Sequence, residues 1–275
     1  MPLTRTRLLR SHPAAGLIAL SVAALLTGCS GADPAAVDGP TPAEATSSSS
    51  STAAPHWDYD GEEGPDHWGE LAANFATCGT GTAQSPLDLP AAAEPEDDDL
   101  ALSYATVGEQ SVDTGHTLQL DTEPGAGLQY NGIDYSLVQV HYHDPSEHTI
   151  GGQQAPIEFH FVHKDAEGNL LVIGVMGIAG EHDDTFQPFV DAATAGATPA
   201  PASVDIAAMM PSSLQHYAYV GSLTTPPCTE NVQWLVMDTP VTLGQDQIDT
   251  LEDRYDHNNR PVQALNDREV HVAGQ

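Results

Sequence analysis

The segment Gln139-Val140-His141-Tyr142-His143 constrains the fold more than any other. It ends a run, Ile133–Tyr142, that is rich in β-branched and aromatic residues and bounded by turn residues, which reads as a strand. Alternate side chains of a strand share a face, so Gln139, His141 and His143 lie together, and Val140 and Tyr142 face the other way. A second strand-like run reads Glu158-Phe159-His160-Phe161-Val162-His163. Here Glu158 and His160 share one face, and His163 points away from it. If the two strands pair with these faces matched, His141, His143 and His160 form a three-imidazole site. Three neutral imidazoles suit Zn²⁺ and leave a fourth tetrahedral position for water. A ligating histidine usually donates its second ring N–H to a carboxylate or carbonyl. Gln139, two residues before His141, and Glu158, two before His160, are placed to give that support. An isolated His-x-His is a weak signal; the third histidine with acid and amide partners is what strengthens it.

The rest of the chain is consistent with a mostly β domain. Thr117–Leu120, Leu128–Tyr130, Leu170–Ile178, Tyr217–Gly221 and Val232–Met237 are further strand-length runs between Gly, Pro, Asn and Asp. Only Phe186–Ala193 and Leu243–Tyr255 carry helical spacing, the second starting after Thr242. Glu94 to Asp99 reads as an acidic loop, and Asp191 to Ala202 as an Ala/Pro/Thr loop. There is no internal repeat, and the ordered domain is expected from residue 56 to residue 275.

The first 55 residues read as targeting and tether. Arg5, Arg7 and Arg10 precede an apolar run from Ala14 to Leu26, which is too short for a good membrane span and fits the core of a signal peptide. Leu26-Thr27-Gly28-Cys29 resembles a bacterial lipobox, which predicts removal of residues 1–28 and a lipid anchor on Cys29. Residues 29–55 are rich in Ala, Pro, Ser and Thr, including an unbroken Ser47 to Ser51, and are expected to be a disordered tether. The protein is thus expected outside the cytoplasm, held at a membrane, or secreted if the lipobox is not used. Export agrees with the cysteines. Cys78 and Cys228 remain as an even pair and are predicted to form one disulfide closing a loop of about 150 residues, worth about 4–5 kcal/mol by loop entropy. Two buried free thiols are the alternative.

Charge excludes one class of partner. After the leader, only Lys164, Arg254, Arg260 and Arg268 stand against 39 acidic side chains. Nucleic-acid binding needs basic residues for phosphate contacts and is excluded. So acidic a surface resembles proteins kept soluble in high salt, where self-repulsion is screened.

Taken together, the motifs resemble the α-class carbonic anhydrases. Gln139 to His143 followed by Pro145-Ser146-Glu147-His148-Thr149, the run Glu158 to His163, and Gly221-Ser222-Leu223-Thr224-Thr225-Pro226-Pro227-Cys228 carry the likeness. Gly64-Pro65-Asp66-His67-Trp68-Gly69, Gln84-Ser85-Pro86, Gly115-His116-Thr117, Trp234 and Asn258-Asn259-Arg260-Pro261 fall in family order, so the likeness covers residues 56 to 275. The resemblance implies a large, twisted, mostly antiparallel sheet of about ten strands with a few short helices. It implies one Zn²⁺ on His141, His143 and His160, and reversible hydration of CO2 to bicarbonate and a proton by zinc-bound hydroxide. In the implied relay Thr224 accepts the hydroxide's hydrogen bond and donates its own proton to Glu147. Val162, Val172, Leu223 and Trp234 would line an apolar CO2 pocket, with Thr225 beside it. His116 matches the proton shuttle, and Tyr59 a tyrosine that orders the water chain. Thr114 and Gln119 stand where the family commonly has asparagines, which alters that path. His67 is expected in an N-terminal aromatic cluster and His148 bracing Glu147, both structural. The resemblance also supports the Cys78–Cys228 bridge. It adds no partner chain beyond a monomer or homodimer. Two rival activities remain: an inactive binding module of the same fold, which the complete ligand set disfavours, and a weak zinc esterase, for which no polar substrate-orienting pocket is evident.

Overall fold

The computed structural model describes residues 55–195 and 202–274. The expected leader, Cys29 and nearly all of the tether lie outside the described residues. Six long strands position everything that follows: β1 (Leu118–Thr122), β2 (Ile133–His143), β3 (Ile157–Lys164), β4 (Leu170–Gly180), β5 (His216–Ser222) and β6 (Glu230–Met237). They lie side by side in the order β1-β2-β3-β4-β6-β5 within a 13-stranded sheet whose main path has ten strands. Pairing is antiparallel except where β4 meets β6 and the short strand Val241–Gly244, and where His271–Ala273 meets Glu94–Pro95. The expected sheet of about ten mostly antiparallel strands is present.

The central strands are apolar on both faces, as buried strands must be. Phe159, Phe161, Leu171, Ile173, Val175 and Leu235 face one core, which the helices α1 (Gln187–Ala195) and α2 (Gln245–Glu252) help close with Phe189, Ile248 and Leu251. Val172, Met176, Trp234 and Val236 face the other, with Val162 and Leu223 packed against it. Among the described residues no helix is long and apolar enough to cross a membrane. Cys78 and Cys228 are bonded, 150 residues apart in sequence.

Three sequence expectations need correction. Residues Glu94–Asp99 are not all loop, since Glu94–Pro95 adds a parallel edge strand to His271–Val272. The helix expected over Phe186–Ala193 is α1, which runs on to Ala195 and so takes the first half of the expected Asp191–Ala202 loop, while Ala202 begins the strand Ala202–Asp205. The second helix starts at Gln245, because Val241–Gly244 is held in the sheet beside Gly177–Gly180.

A β-bulge decides which way the metal-site face points. Opposite β3, Val162 pairs with Gln139 but His163 pairs with Leu137, so Val138 is left over on β2. One extra residue reverses the alternation. Tyr135 and Leu137 before it, and Val140 and Tyr142 after it, all reach the same core, although their positions differ in parity. Gln139, His141 and His143 are thereby committed to the opposite face.

Candidate metal centre

The register lays the site out in rows across the sheet. One row reads Gln119, His141, His160, Gly174, Val236. The next reads Gln139, Val162, Val172, Trp234, Tyr219. His143 sits opposite Glu158. His141, His143 and His160 each offer a ring nitrogen, and these lie within 4.8 Å of one another. A cavity of about 200 Å³ opens above them, lined by Trp57, His116, Gln119, His141, His143 and Thr225 among others.

The other ring nitrogens are spoken for. His141 Nδ1 donates to Gln139 Oε1 at 2.8 Å, His143 Nδ1 to the Asn258 carbonyl at 2.6 Å, and His160 Nε2 to Glu158 Oε1 at 2.9 Å. A backbone carbonyl and an ionised carboxylate can only accept, so His143 carries its proton on Nδ1 and His160 on Nε2. That leaves His143 Nε2 and His160 Nδ1 as bare lone pairs. His143 Nε2 is buried without any hydrogen bond. Burial pushes His141 well below the ordinary imidazole range, His143 down to about 4, and His160 down as well, although the nearby Glu158 opposes the last shift. Three neutral imidazoles aiming unengaged nitrogens at one point fit Zn²⁺, whose ligands must be deprotonated.

Glu158 is the hinge of the support. Its Oε1 also accepts from His148 Nδ1 at 2.7 Å, and its Oε2 from the backbone N–H groups of Glu147 and His148 at 2.9 and 2.8 Å. Burial alone would raise its pKa, but His148 and His160 hold it well below the usual carboxylate range. His148 Nε2 meets Tyr219 Oη at 2.7 Å, and that hydroxyl meets Ser85 Oγ at 2.8 Å. The expectation that His148 braces Glu147 is therefore corrected: its Nδ1 reaches Glu158, so it braces that carboxylate instead.

Glu147 is 1% exposed. Its Oε1 accepts from the Arg260 backbone N–H at 2.8 Å, while Oε2 has no hydrogen bond and lies 3.5 Å from His143 Nε2. Burial pushes this carboxyl up to about 7 against the opposing pull of His160, the Arg260 amide and the Thr224 hydroxyl. Thr224 is buried beside it, yet makes no hydrogen bond of ordinary geometry to Oε2.

The other expected residues gather around this centre with two departures. Val162, Val172 and Trp234 form the apolar row next to the imidazoles, with Trp234 edge-on to His160 at 4.9 Å and Leu223 packed on the same cluster. Thr225 lines the cavity. His116 lines it too, stacked flat on Trp57 at 3.7 Å, with Nε2 donating to the Trp57 carbonyl at 2.9 Å. Tyr59 stands 6.4 Å from the His116 ring but borders a different hollow, with Asp60 to His67. His67 is exposed and outside the aromatic cluster, which consists of Trp57, Tyr59 and Trp68 with His116; it stands just before the short helix Trp68–Leu71 without a side-chain capping bond. His163 lies on the far face as expected, bonded to Tyr104 Oη at 2.7 Å. Sequence reasoning missed Asn258, Arg260 and Trp57 as contributors. All three contribute a backbone group, which leaves no side-chain pattern to read.

Comparison with known proteins agrees with the geometry. The family described as "Eukaryotic-type carbonic anhydrase" matches residues 63–274. A carbonic anhydrase of Pectobacterium carotovorum is 41% identical over 225 residues, spanning 80% of this chain and 92% of that one. The α-carbonic anhydrase of Thermovibrio ammonificans, solved with the inhibitor sulfanilamide, superposes with a TM-score of 0.74 at 34% identity over 80% of this chain and all of the other. Dioscorin, solved with ascorbate, gives 0.73 at 27% identity over 80% of this chain and 98% of its own. The chain belongs to the α-class, eukaryotic-type carbonic anhydrase family.

Proposed function

We propose that this protein reversibly hydrates CO2 to bicarbonate and a proton, using one Zn²⁺ held by His141, His143 and His160. The observation that carries the reading is the set of three supported, neutral imidazoles converging below one cavity. Zinc supplies, when bound, a Lewis acid that makes a water nucleophilic near neutral pH, a property known from carbonic anhydrase itself. The protein's own residues prepare the rest. Val162, Val172, Leu223 and Trp234 offer CO2, which has little to hydrogen-bond, an apolar wall beside the ligands. Glu147 is fixed at Oε1 by Arg260 N and keeps Oε2 unengaged beside the buried Thr224; in the reaction the Thr224 hydroxyl would turn to donate to that oxygen and so present its lone pairs toward the cavity. His116, which lines the cavity, carries protons between cavity and bulk when its ring leaves the Trp57 stack.

Stopped-flow CO2 hydration by the purified protein, with and without a zinc chelator and beside His143→Ala, tests the reaction. Zinc-dependent hydration lost in the variant is expected. His116→Ala should slow turnover at low buffer and recover when imidazole is added. No hydration by folded, zinc-loaded protein, with high salt also tried, would favour a binding module. Esterase activity is expected only as a side reaction.

The leader pattern supports an extracytoplasmic protein anchored through lipid on Cys29. Palmitate labelling and membrane fractionation test this, and both should be lost in Cys29→Ser.

A further inference from the structure

A second cluster of metal-ligating side chains lies behind the imidazole site. Asp144, Glu252 and Asp256 each bring a carboxylate oxygen within 4.8 Å of the others. Asp144 directly follows His143, Glu252 is the last residue of α2, and Asp256 lies in the segment that leads on to Asn258. Like charges this close repel, and an acid at a helix C-terminus also opposes the helix dipole. Among the described residues no strong base compensates them. Arg254 is paired with Asp113, and the exposed His257 reaches only Asp256, at 3.4 Å.

An independent observation separates this cluster from an ordinary acidic surface. Asp144 is only 6% exposed. Both of its backbone groups are bonded to Asn258, yet its carboxylate has no hydrogen bond and no ion pair among the described residues. A residue nine-tenths buried, whose carboxylate has no donor of its own, reaches solvent only narrowly and lies beside two further carboxylates, is placed to gain from a cation shared among the three. Only oxygens are offered, which selects a hard ion. Oxygens this far apart can share an ion with ligands at about 2.3–2.6 Å, the range of Ca²⁺. The exposed side, where Glu252 and Asp256 stand, leaves room for the waters that complete its shell.

We propose that Asp144, Glu252 and Asp256 form a Ca²⁺ site that ties the end of β2 to the end of α2. Its consequence reaches the zinc ligands through one residue. Asn258 accepts from Asp144 N through Oδ1 at 2.7 Å and from His143 Nδ1 through its carbonyl at 2.6 Å. An ion bridging Asp144 and Asp256 would hold the segment that carries Asn258, and with it the orientation of His143. The site does not depend on the CO2 reading, because none of its three ligands enters that reaction.

Calorimetric titration of the zinc-loaded full chain with CaCl2 tests the proposal, alongside thermal unfolding in CaCl2 and in NaCl of equal ionic strength. One saturable site is expected, with a dissociation constant of about 10⁻⁴–10⁻³ M, as in extracellular calcium modules. Calcium should raise the melting temperature beyond the NaCl control. Asp256→Asn, a surface change that leaves the core untouched, should weaken binding at least about tenfold, as should Glu252→Gln, and Asp144→Asn should abolish it. If Asp144→Asn fails to fold, the two surface variants decide. The proposal is overturned if wild type and Asp256→Asn bind calcium alike. It is also overturned if no saturable heat appears and calcium stabilises no more than NaCl; the cluster would then be neutralised by a proton.

Discussion

Glu158 Oε1 holds two histidines at once because the residue beneath it, Gly174, has no side chain. A β-carbon added to Gly174 would lie 2.8 Å from that oxygen, against the 3.4 Å or more of ordinary contact, and 3.5 and 3.6 Å from the methyls of Val236. The carboxylate would have to move by roughly 0.6 Å. It has nowhere to go, since His148 and His160 hold Oε1 at 2.7 and 2.9 Å and two backbone amides hold Oε2. Gly174→Ala therefore breaks or bends the support of His160. Overpacking costs about 1–3 kcal/mol, and the entropy gained by replacing glycine returns about 0.4–1 kcal/mol, so a net loss of up to about 2.5 kcal/mol is expected. Loss of a ligand's hydrogen-bond partner should weaken zinc about 10–100-fold. Urea unfolding and chelator competition read the two effects separately. Gly177→Ala is the control: on the same strand, the nearest neighbours of its added carbon are apolar side-chain atoms of Leu243, Ile157 and Phe159, at 3.0 to 3.5 Å. It should lose stability and keep its zinc affinity. The reasoning fails if Gly174→Ala binds zinc as tightly as wild type, or if Gly177→Ala loses as much affinity.

The Cys78–Cys228 bridge closes a loop of 150 residues, so its reduction should lower stability by about 5 kcal/mol, measured by urea unfolding with and without reductant. Asp113 links the segment after α2 to the loop of His116: it accepts from Tyr255, from the Gly115 amide at 2.9 Å and from Arg254. Burial alone would raise its pKa, but these donors lower it, so its contribution is complete above the unfolded value of about 3.9 and is lost as pH falls through the lower folded value. Asp113→Asn should therefore flatten the acid limb of the melting curve below about pH 4, and an unchanged limb would count against the pairing. With 39 acidic and seven basic residues in the chain, raising NaCl from about 0.01 to 1 M, which shortens the screening length from about 30 to 3 Å, should raise the melting temperature. Equal stability in salt-free buffer would refute the self-repulsion argument.

The three metal-ligand positions were legible because strand alternation is local: His141 beside His143, and Glu158 beside His160, need no knowledge of the rest of the chain. What local pattern could not supply is the phase. Tyr135 and Leu137 reach the same core as Val140 and Tyr142 only because Val138 is squeezed out opposite β3, and a bulge exists only in relation to a partner strand. The strand Thr106–Asp113 was missed for a different reason. Its buried side carries Val107, Glu109 and Ser111, so the face that goes inward is mostly polar and sends no hydrophobic signal. His148 supports Glu158 and not its neighbour Glu147, a contact made across ten residues of sequence that no local pattern shows.

The remaining omissions share a cause that bears on how the site is built. His143 is oriented by the carbonyl of Asn258, Glu147 by the amide of Arg260, and Glu158 is seated on the bare backbone of Gly174. None of these contacts depends on the chemistry of a side chain. Strand alternation places the imidazoles and supplies the side-chain partners of His141 and His160, but the direction His143 faces is set by a backbone carbonyl from a distant segment. The substitutions that disturb the centre should thus include residues that carry no reactive group. Gly174 is the sharpest case, because a single methyl there moves a carboxylate on which His148 and His160 both depend.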